Sequence, residues 1–204
     1  MDSLIYQPPN WVDRLDWKQV FGNSRPVEID LGCGRGGFLL QTAAAQPARN
    51  FLGVDRLLGR LRRVDAKAQR QGLANVRLLR IEATYCVGYL VPLSSVAAYH
   101  IYFPDPWPKR RHHRRRLFSL EFVTRLQATL AGDGELRVAT DHAAYFDQIR
   151  AVLTESGLFL EIAGAGAIVG AATDFERKFT AEGRLIHRGC WRRTAPVVTE
   201  SAGC

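Results

Sequence analysis

Short runs of apolar residues alternate with longer segments of helical periodicity along most of this chain. The apolar runs predict strands at residues 27–31, 51–55, 76–81, 96–103, 135–139 and 185–191. Apolar positions spaced three or four residues apart predict helices at 38–45, 57–71, 117–130 and 143–156. Strands that alternate with helices are typical of a parallel sheet with helices on both faces. The pattern therefore predicts an α/β fold.

The segments outside this alternation complete a single predicted domain over residues 1–204. We expect residues 1–24 to form an N-terminal extension, residues 163–172 a flexible loop, and residues 195–204 a loose tail. Thr173 and Glu176 have the spacing of a capping box, which satisfies the backbone amides at the start of a helix. A helix is therefore predicted to begin at Thr173.

Composition narrows the class of protein. Hydrophobic residues make up 47% of the chain, which is ordinary for a globular domain. No stretch approaches the roughly 20 apolar residues that a membrane span requires, and the first residues do not resemble a secretory signal. The four cysteines are scattered, without the spacing of metal ligands. We expect a cytoplasmic protein with reduced thiols, no metal and no membrane association.

The net charge of +8 arises from 28 basic and 20 acidic residues. Six of the basic residues lie in the run at 109–116, and without them 22 cations would face 20 acids. A local concentration of positive charge, here including Arg114, Arg115 and Arg116, favours a surface that binds a polyanion. The alternative is a solvated basic loop without a partner.

A glycine-rich turn follows the first predicted strand. Gly32, Gly34 and Gly37 match the pattern GxGxxG, in which glycine lets the backbone pass close to a ligand. The pattern alone is weak, but a strand precedes it and a helix follows it. Asp55 ends the second predicted strand, where a carboxylate suits the ribose hydroxyls of either a nicotinamide cofactor or S-adenosylmethionine.

Two further acids favour S-adenosylmethionine. Asp30 lies inside the first predicted strand, where a carboxylate is costly to bury unless a cation or a hydrogen-bond donor meets it. S-adenosylmethionine carries an ammonium and a sulfonium, whereas a pyrophosphate would repel the acid. A structural hydrogen bond to the glycine turn is the alternative role. Glu82 follows the third predicted strand and is a candidate acceptor for the adenine amino group, or simply an exposed acid.

One acid lies against the basic run. Asp105 stands between Pro104 and Pro106, and the three prolines at 104, 106 and 108 stiffen the turn because each fixes its own φ angle. Since the segment follows the fourth predicted strand, Asp105 is expected at the same sheet edge as the glycine turn. A rigid carboxylate, a methyl donor and a phosphate-binding run on one surface indicate a nucleic-acid methyltransferase.

The Asp-Pro-Trp-Pro-Lys run at 105–109 and its basic extension resemble the signature of the tRNA (guanine-N7-)-methyltransferase family. The resemblance extends from about residue 10 to residue 191 and includes Asp16-Trp17, Phe21-Gly22-Asn23, Thr140-Asp141 and the segment 173–179. It implies a Rossmann-like class I methyltransferase with a largely parallel seven-stranded sheet. It also implies the bacterial single-subunit type, which needs no obligate protein partner and acts as a monomer or homodimer.

The resemblance assigns residues to two groups. Those implied to contact S-adenosylmethionine are Asp30, Asp55, Glu82 and Asp105. Those implied to contact the tRNA or its target base are Lys109, Asp141, Thr173, Asp174, Phe175 and Glu176. The implied target is guanosine 46 in the variable loop.

The chemistry of guanine makes Asp105 the candidate catalytic residue. N7 carries a lone pair and no proton, so catalysis requires alignment and electrostatics rather than a general base. Asp105 or Asp141 is a candidate acceptor for the N1–H and 2-amino donors that distinguish guanine, and Glu176 is a second acceptor.

Three other functions remain open at this point. A small-molecule methyltransferase would leave the basic run unexplained. A non-catalytic RNA-binding module with a degenerate cofactor pocket would leave the intact glycine turn and its acids unexplained. An NAD-dependent oxidoreductase would be distinguished by the cofactor that stabilises the protein against heat.

Overall fold

The computed structural model describes residues 3–163 and 172–194. Its strands are β1 (Val27–Leu31), β2 (Asn50–Asp55), β3 (Val76–Arg80), β4 (Val96–Tyr102), β5 (Leu130–Thr140), β6 (Phe159–Glu161) and β7 (His187–Arg193). They form one seven-stranded sheet in the order β3-β2-β1-β4-β5-β7-β6. The first five strands are parallel, and β7 runs antiparallel to both β5 and β6. The predicted largely parallel sheet is therefore confirmed.

Helices cover both faces of this sheet. They are α1 (Trp17–Phe21), α2 (Gly37–Ala45), α3 (Leu58–Arg70), α4 (Ala83–Tyr85), α5 (Leu120–Thr129), α6 (Ala143–Glu155) and α7 (Asp174–Ala181). A π-helical turn at Cys86–Leu90 continues α4, and a 3-10 turn covers Arg110–Arg115. Because side chains alternate along a strand, Phe51 belongs to the buried cluster that contains residues of α2 and α3, while Leu52 belongs to the larger cluster that contains residues of α5 and α6.

Most predicted elements occur within a few residues of their expected bounds, and the differences have local causes. The predicted helix at 117–130 begins at Leu120, because the Ser119 side chain accepts a hydrogen bond from the Phe122 amide and caps the helix there. The fifth strand starts at Leu130 rather than at residue 135. Both α1 and the three-residue β6 were missed, since elements of five and three residues are too short to show a period.

The N-terminal segment packs against the sheet. The Tyr6 amide donates to the Leu78 carbonyl at 2.8 Å, and the Leu78 amide donates to the Leu4 carbonyl at 2.9 Å. The Trp17 indole donates to Ser95 Oγ at 2.9 Å. The loop predicted at 163–172 lies almost entirely outside the described residues, as does the whole of the predicted tail. Within the described residues, no helix combines the length and apolarity that a membrane crossing needs.

The strand order places a crevice at the carboxyl ends of β1 and β4. The chain leaves β1 toward β2 on one side, and β4 returns to pair with β1 on the other side. Ligands of open α/β sheets bind where the direction of the connections changes in this way. The glycine turn after β1 and the Asp105 loop after β4 therefore leave the sheet from adjacent strands.

Replacing Gly53 of β2 by alanine should destabilise the fold. An added Cβ would lie 2.5 Å from Leu39 Cδ2 and 3.1 Å from Cys33 Sγ, so the packing between β2 and α2 would have to shift. We expect the free energy of unfolding to fall by about 1–3 kcal/mol, measured by denaturant titration.

Gly59→Ala is the matched control, because no atom lies within 4 Å of its added Cβ and α3 gains a better helix former. We expect a gain of about 0.5–1 kcal/mol. Equal stability of the two variants would contradict the packing argument.

Candidate active site

A cleft of about 880 Å³, including the solvent at its mouth, opens at the carboxyl ends of β1 and β4. Four segments form its walls: the end of β1 with the glycine turn, Arg60 of α3, the end of β4, and the start of α7. Of the predicted site residues, the cleft brings together Asp30, Gly32 and Gly34 with Thr173, Asp174 and Phe175.

The glycine turn has the backbone that its sequence predicts. Gly32 and Gly34 have φ angles of 88° and 55°, in the left-handed region that favours glycine. The Gly34 amide donates to Asp55 Oδ2 at 3.2 Å, and the Leu57 amide donates to Asp55 Oδ1 at 2.8 Å. Asp55 is buried and supports the turn from behind, without forming part of the cleft wall.

Asp30 is a buried acid at the wall of the cleft. Asp30 is only 5% exposed. Within residues 3–163 and 172–194, no group donates a hydrogen bond to its carboxylate or forms an ion pair with it. Burial, with the negative charge of Asp55 nearby, raises the pKa of the Asp30 carboxyl to about 7. The predicted structural hydrogen bond to the glycine turn is therefore absent among the described residues, and a cationic ligand would suit this carboxylate.

Glu28, two residues earlier on the same face of β1, has partners. Its Oε1 accepts from Arg49 Nη1 at 2.8 Å, and its Oε2 accepts from His100 Nε2 at 2.8 Å. Because Nε2 donates, His100 Nδ1 accepts from the Tyr102 hydroxyl at 2.9 Å. Burial alone would raise the pKa of Glu28, but His100 and Arg49 lower it below its usual value. Glu28 was not among the predicted site residues; through His100 it anchors Tyr102, which lines the cleft.

The start of α7 forms the wall opposite the glycine turn. The predicted capping box is confirmed, with the Glu176 amide donating to Thr173 Oγ1 at 2.9 Å. A Cβ at Gly37 would lie 2.7 Å from Asp174 Oδ1, so a larger residue at the start of α2 would displace the Asp174 side chain. Glu176 is buried and also contacts the Arg188 guanidinium.

Aromatic rings line the mouth of the cleft. Phe175 is 50% exposed, and its ring lies 6.0 Å from that of Phe103 and 5.8 Å from that of Phe179. The Arg184 guanidinium lies 4.5 Å from the centre of the Phe179 ring. These rings offer a partly open apolar surface beside the glycine turn.

The loop after β4 is held in an unusual conformation. Phe103 and Trp107 have φ angles of 53° and 40°. Residues other than glycine adopt this left-handed backbone conformation at a cost of about 1–3 kcal/mol. Asp105 is exposed between them and does not form part of the cleft wall, although Phe103 does. The Arg116 Nε donates to the Pro106 carbonyl at 2.8 Å, which ties the basic run back to this loop.

The basic run is only partly free for a ligand. Arg115 lies over the Trp107 ring at 5.0 Å, and Arg116 lies over the Tyr145 ring at 4.9 Å. Lys109 and Arg114 are exposed. The main structural role of Arg116 is therefore to support the Asp105 loop. The sequence did not indicate this role, because the group that accepts from Arg116 is a backbone carbonyl.

Two predicted acids lie elsewhere. Glu82 caps α4, accepting from the Tyr85 amide at 3.0 Å, and belongs to a second cavity near Tyr89. Asp141 Oδ2 accepts from Arg184 Nη1 at 2.8 Å. The contacts proposed for these residues stay predictions.

Cys33, Cys86 and Cys190 are buried free thiols, and burial raises the pKa of each. Within residues 3–163 and 172–194, no cluster of histidine, cysteine, aspartate and glutamate has the arrangement of a metal site.

Comparison with known proteins supports a methyltransferase. A family model described as "Putative methyltransferase" matches residues 24–188. A protein of Leifsonia xyli subsp. xyli named tRNA (guanine-N(7)-)-methyltransferase is 40% identical over 177 residues, covering 84% of this chain and 78% of that protein. A protein of the same name from Vibrio cholerae serotype O1 (strain M66-2) is 33% identical over 191 residues, covering 93% of this chain and 78% of that protein.

Solved structures agree on the fold. The 16S rRNA methyltransferase KamB superposes with a TM-score of 0.62 at 18% identity, covering 88% of this chain and 93% of that chain. The antibiotic-resistance methyltransferase Kmr gives 0.60 at 19% identity, covering 87% of this chain and 91% of that chain. At these identities the likeness concerns the fold alone, and it confirms the predicted Rossmann-like methyltransferase architecture.

Asp30→Asn should change how stability depends on pH. Because the folded-state pKa of about 7 lies above that of an unfolded aspartate, ionisation of Asp30 destabilises the fold as pH rises from about 4 to about 7. We expect the variant to be more stable than the parent at pH 8, by up to about 4 kcal/mol, and the two to converge near pH 4. Denaturant titration at each pH measures this.

Asp65→Asn is the control, because its effect on the free energy of unfolding should have the opposite sign. Burial raises the pKa of Asp65, but hydrogen bonds from Ser3, Gln69 and the Leu4 amide outweigh it and lower the pKa. Its removal should cost stability above about pH 4. A parallel pH response in both variants would contradict the assignment of Asp30 as unpartnered.

Proposed function

This chain belongs to the tRNA (guanine-N(7)-)-methyltransferase family, and we propose that it transfers a methyl group from S-adenosylmethionine to N7 of guanosine 46 in the tRNA variable loop. The observation that carries the proposal is the buried, unpartnered Asp30 carboxylate in a cleft that lies beside the Asp105 loop. The family supplies the reaction and the substrate; the cleft supplies a fitting place for the donor.

The residues of the cleft fit S-adenosylmethionine. Asp30 offers the negative charge that its ammonium or sulfonium would meet, whereas the pyrophosphate of NAD would be repelled there. Gly32 and Gly34 leave the backbone open to close approach. Asp55 and Glu82 lie outside the cleft wall, and Glu82 belongs to the second cavity. Asp55 is proposed to reach the ribose hydroxyls and Glu82 the adenine. When bound, this cofactor supplies an electrophilic methyl group.

Catalysis by this chain is proposed to be alignment with electrostatic support. Guanine N7 carries a lone pair, so no side chain has to remove a proton before the methyl group is transferred. Asp105, exposed on its strained loop, would accept from N1–H and the 2-amino group and would favour the positive charge that develops on the base. Arg116 acts indirectly, by holding the Pro106 carbonyl.

The start of α7 is proposed to hold the target base. Phe175, half exposed at the cleft mouth, offers a face for stacking. Thr173 and Asp174 lie next to it in the wall. The acids proposed as further acceptors, Asp141 and Glu176, are bridged to Arg184 and Arg188, so a guanine would share them with these cations.

The target is proposed to lie in a loop. In an RNA helix, N7 faces the deep major groove, which side chains hardly enter. A small-molecule substrate would not need the exposed cations Lys109 and Arg114. We also propose a cytoplasmic enzyme, in keeping with three buried free thiols, that acts as a monomer or homodimer without an obligate protein partner.

The direct test is incubation with labelled S-adenosylmethionine and an unmodified tRNA transcript, followed by mapping of 7-methylguanosine. We expect label at position 46 and none in a transcript with adenosine there. Asp105→Ala should lower kcat by about a hundredfold or more, since it removes the group that orients the base and balances its charge.

Asp133→Ala is the control, because Asp133 is an exposed acid at the opposite end of the parallel strands. It should retain parental turnover. Near-normal turnover of the Asp105 variant with an intact fold would contradict its proposed role, and label on another base would contradict the proposed site of transfer.

Arg114 and Arg116 should respond differently to substitution. Arg114→Ala should weaken tRNA binding and reduce the slope of log affinity against log salt by about 1, as expected for one lost phosphate contact. Arg116→Ala should mainly lower kcat, because it releases the Asp105 loop. Filter binding across a salt series and steady-state kinetics separate the two. Identical effects would contradict the division between a binding arginine and a supporting arginine.

A further inference from the structure

A second concentration of positive charge lies outside the run at 109–116. Residues 56–70 contain six cations and a single acid, Asp65. Of the net charge of +8, the run at 109–116 contributes six and this segment five, so the rest of the chain is net acidic by three. Outside the run at 109–116 the chain is therefore nearly neutral in total, although it contains a strongly basic helix, α3.

The cations of α3 lie on one side of the helix. Leu61, Val64 and Ala68 are buried and fix the face that packs against the sheet. The cations spaced three, four and three residues apart are Arg60, Arg63, Lys67 and Arg70. At about 100° per residue these four fall within an arc of roughly 80°, and they extend about 15 Å along the axis. We call these four residues the α3 stripe.

Most of the charge on the stripe is not compensated by acids. Asp65 is buried and accepts from Ser3, Gln69 and the Leu4 amide. Only Arg60 has an acidic partner within the described residues, namely Asp55 at 3.4 Å. Such a surface keeps a positive potential that an extended anion would neutralise.

The stripe begins at the rim of the cleft. Arg60 forms part of the cleft wall. Lys67 Nζ donates to the carbonyl of Arg35, a residue that also lines the cleft, at 3.3 Å. The basic turn at Arg110–Arg115 follows β4, whereas α3 packs on β2 and β3. Since β1 separates β2 from β4, the two basic surfaces flank the cleft.

We propose that the α3 stripe binds the phosphate backbone of the RNA substrate, on the side of the cleft opposite the 109–116 run. This rests on the proposed function and adds a second contact surface to it. The buried apolar residues of α3, Leu61, Val64 and Ala68, face the sheet, so the stripe itself presents no large apolar side chain that could enter a lipid surface. A polyanion that enters the cleft would run along these cations.

The test compares Arg63→Gln with Arg62→Gln, two exposed neighbours on α3 of which only Arg63 belongs to the stripe. A triple variant neutralises Arg63, Lys67 and Arg70, leaving Arg60 in the cleft wall. Affinity for unmodified tRNA is measured by filter binding over a KCl series. We expect the triple variant to bind at least about tenfold more weakly near 0.1 M salt, with a salt slope reduced by about 2–3. Arg62→Gln should stay close to the parent, and the unfolding midpoint of every variant should be unchanged.

Methyl-transfer kinetics give the second readout, in which the triple variant should raise KM for tRNA. If the triple variant keeps the parental affinity for tRNA and the parental salt slope, the proposed role of the α3 stripe is wrong. Equal losses of affinity in the Arg62 and Arg63 variants would contradict it as well. Loss of binding to phosphatidylserine vesicles with unchanged tRNA affinity would overturn it in favour of a lipid surface. The stripe is judged on binding and the proposed function on the formation of 7-methylguanosine, so either can fail without the other.

Discussion

Two carboxylates buried on one face of β1 determine how the cleft is built. Burying a carboxylate costs several kcal/mol unless cations or donors replace its water. Glu28 meets this cost with Arg49 and His100, each at 2.8 Å. Asp30, two residues along, has no such partner within the described chain and carries a raised pKa. Glu28 stabilises the pairing of β1 with β4 through His100. Asp30 leaves a carboxylate in the cleft wall that a cation could neutralise.

The same network couples the sheet to the cleft wall. Glu28 fixes the His100 ring, and His100 in turn fixes the Tyr102 hydroxyl at the end of β4. The opposite wall depends on ion pairs, since Arg188 contacts Glu176 and Arg184 contacts Asp141. The Glu176 pair joins the start of α7 to β7, and the Asp141 pair joins the segment after α7 to the end of β5. Both acids therefore have a structural role in addition to any contact with a base.

The sequence predicted the fold well because buried parallel strands appear as continuous apolar runs, and the glycine turn marks the first crossover. Asp30 was identifiable from its position alone. His100 and Arg116 were not, because their partners lie 72 and 10 residues away and depend on strand register and on loop conformation. The α3 stripe was missed for another reason. Acids elsewhere in the chain offset its positive charge in the net charge of the protein, and the buried face of α3 is needed to show which of its cations lie side by side.

Transfer to an atom that carries no proton makes position the main source of catalysis, and position requires a rigid loop. The left-handed conformations of Phe103 and Trp107 would relax unless their surroundings held them. The Phe103 amide donates to the Ala139 carbonyl at 2.7 Å, and its ring packs on Phe175 and Phe179. The Trp107 ring contacts the Arg115 guanidinium and the His112 ring. Phe103 thus fastens one end of the loop to the cleft wall, and Trp107 fastens the other end to the basic run.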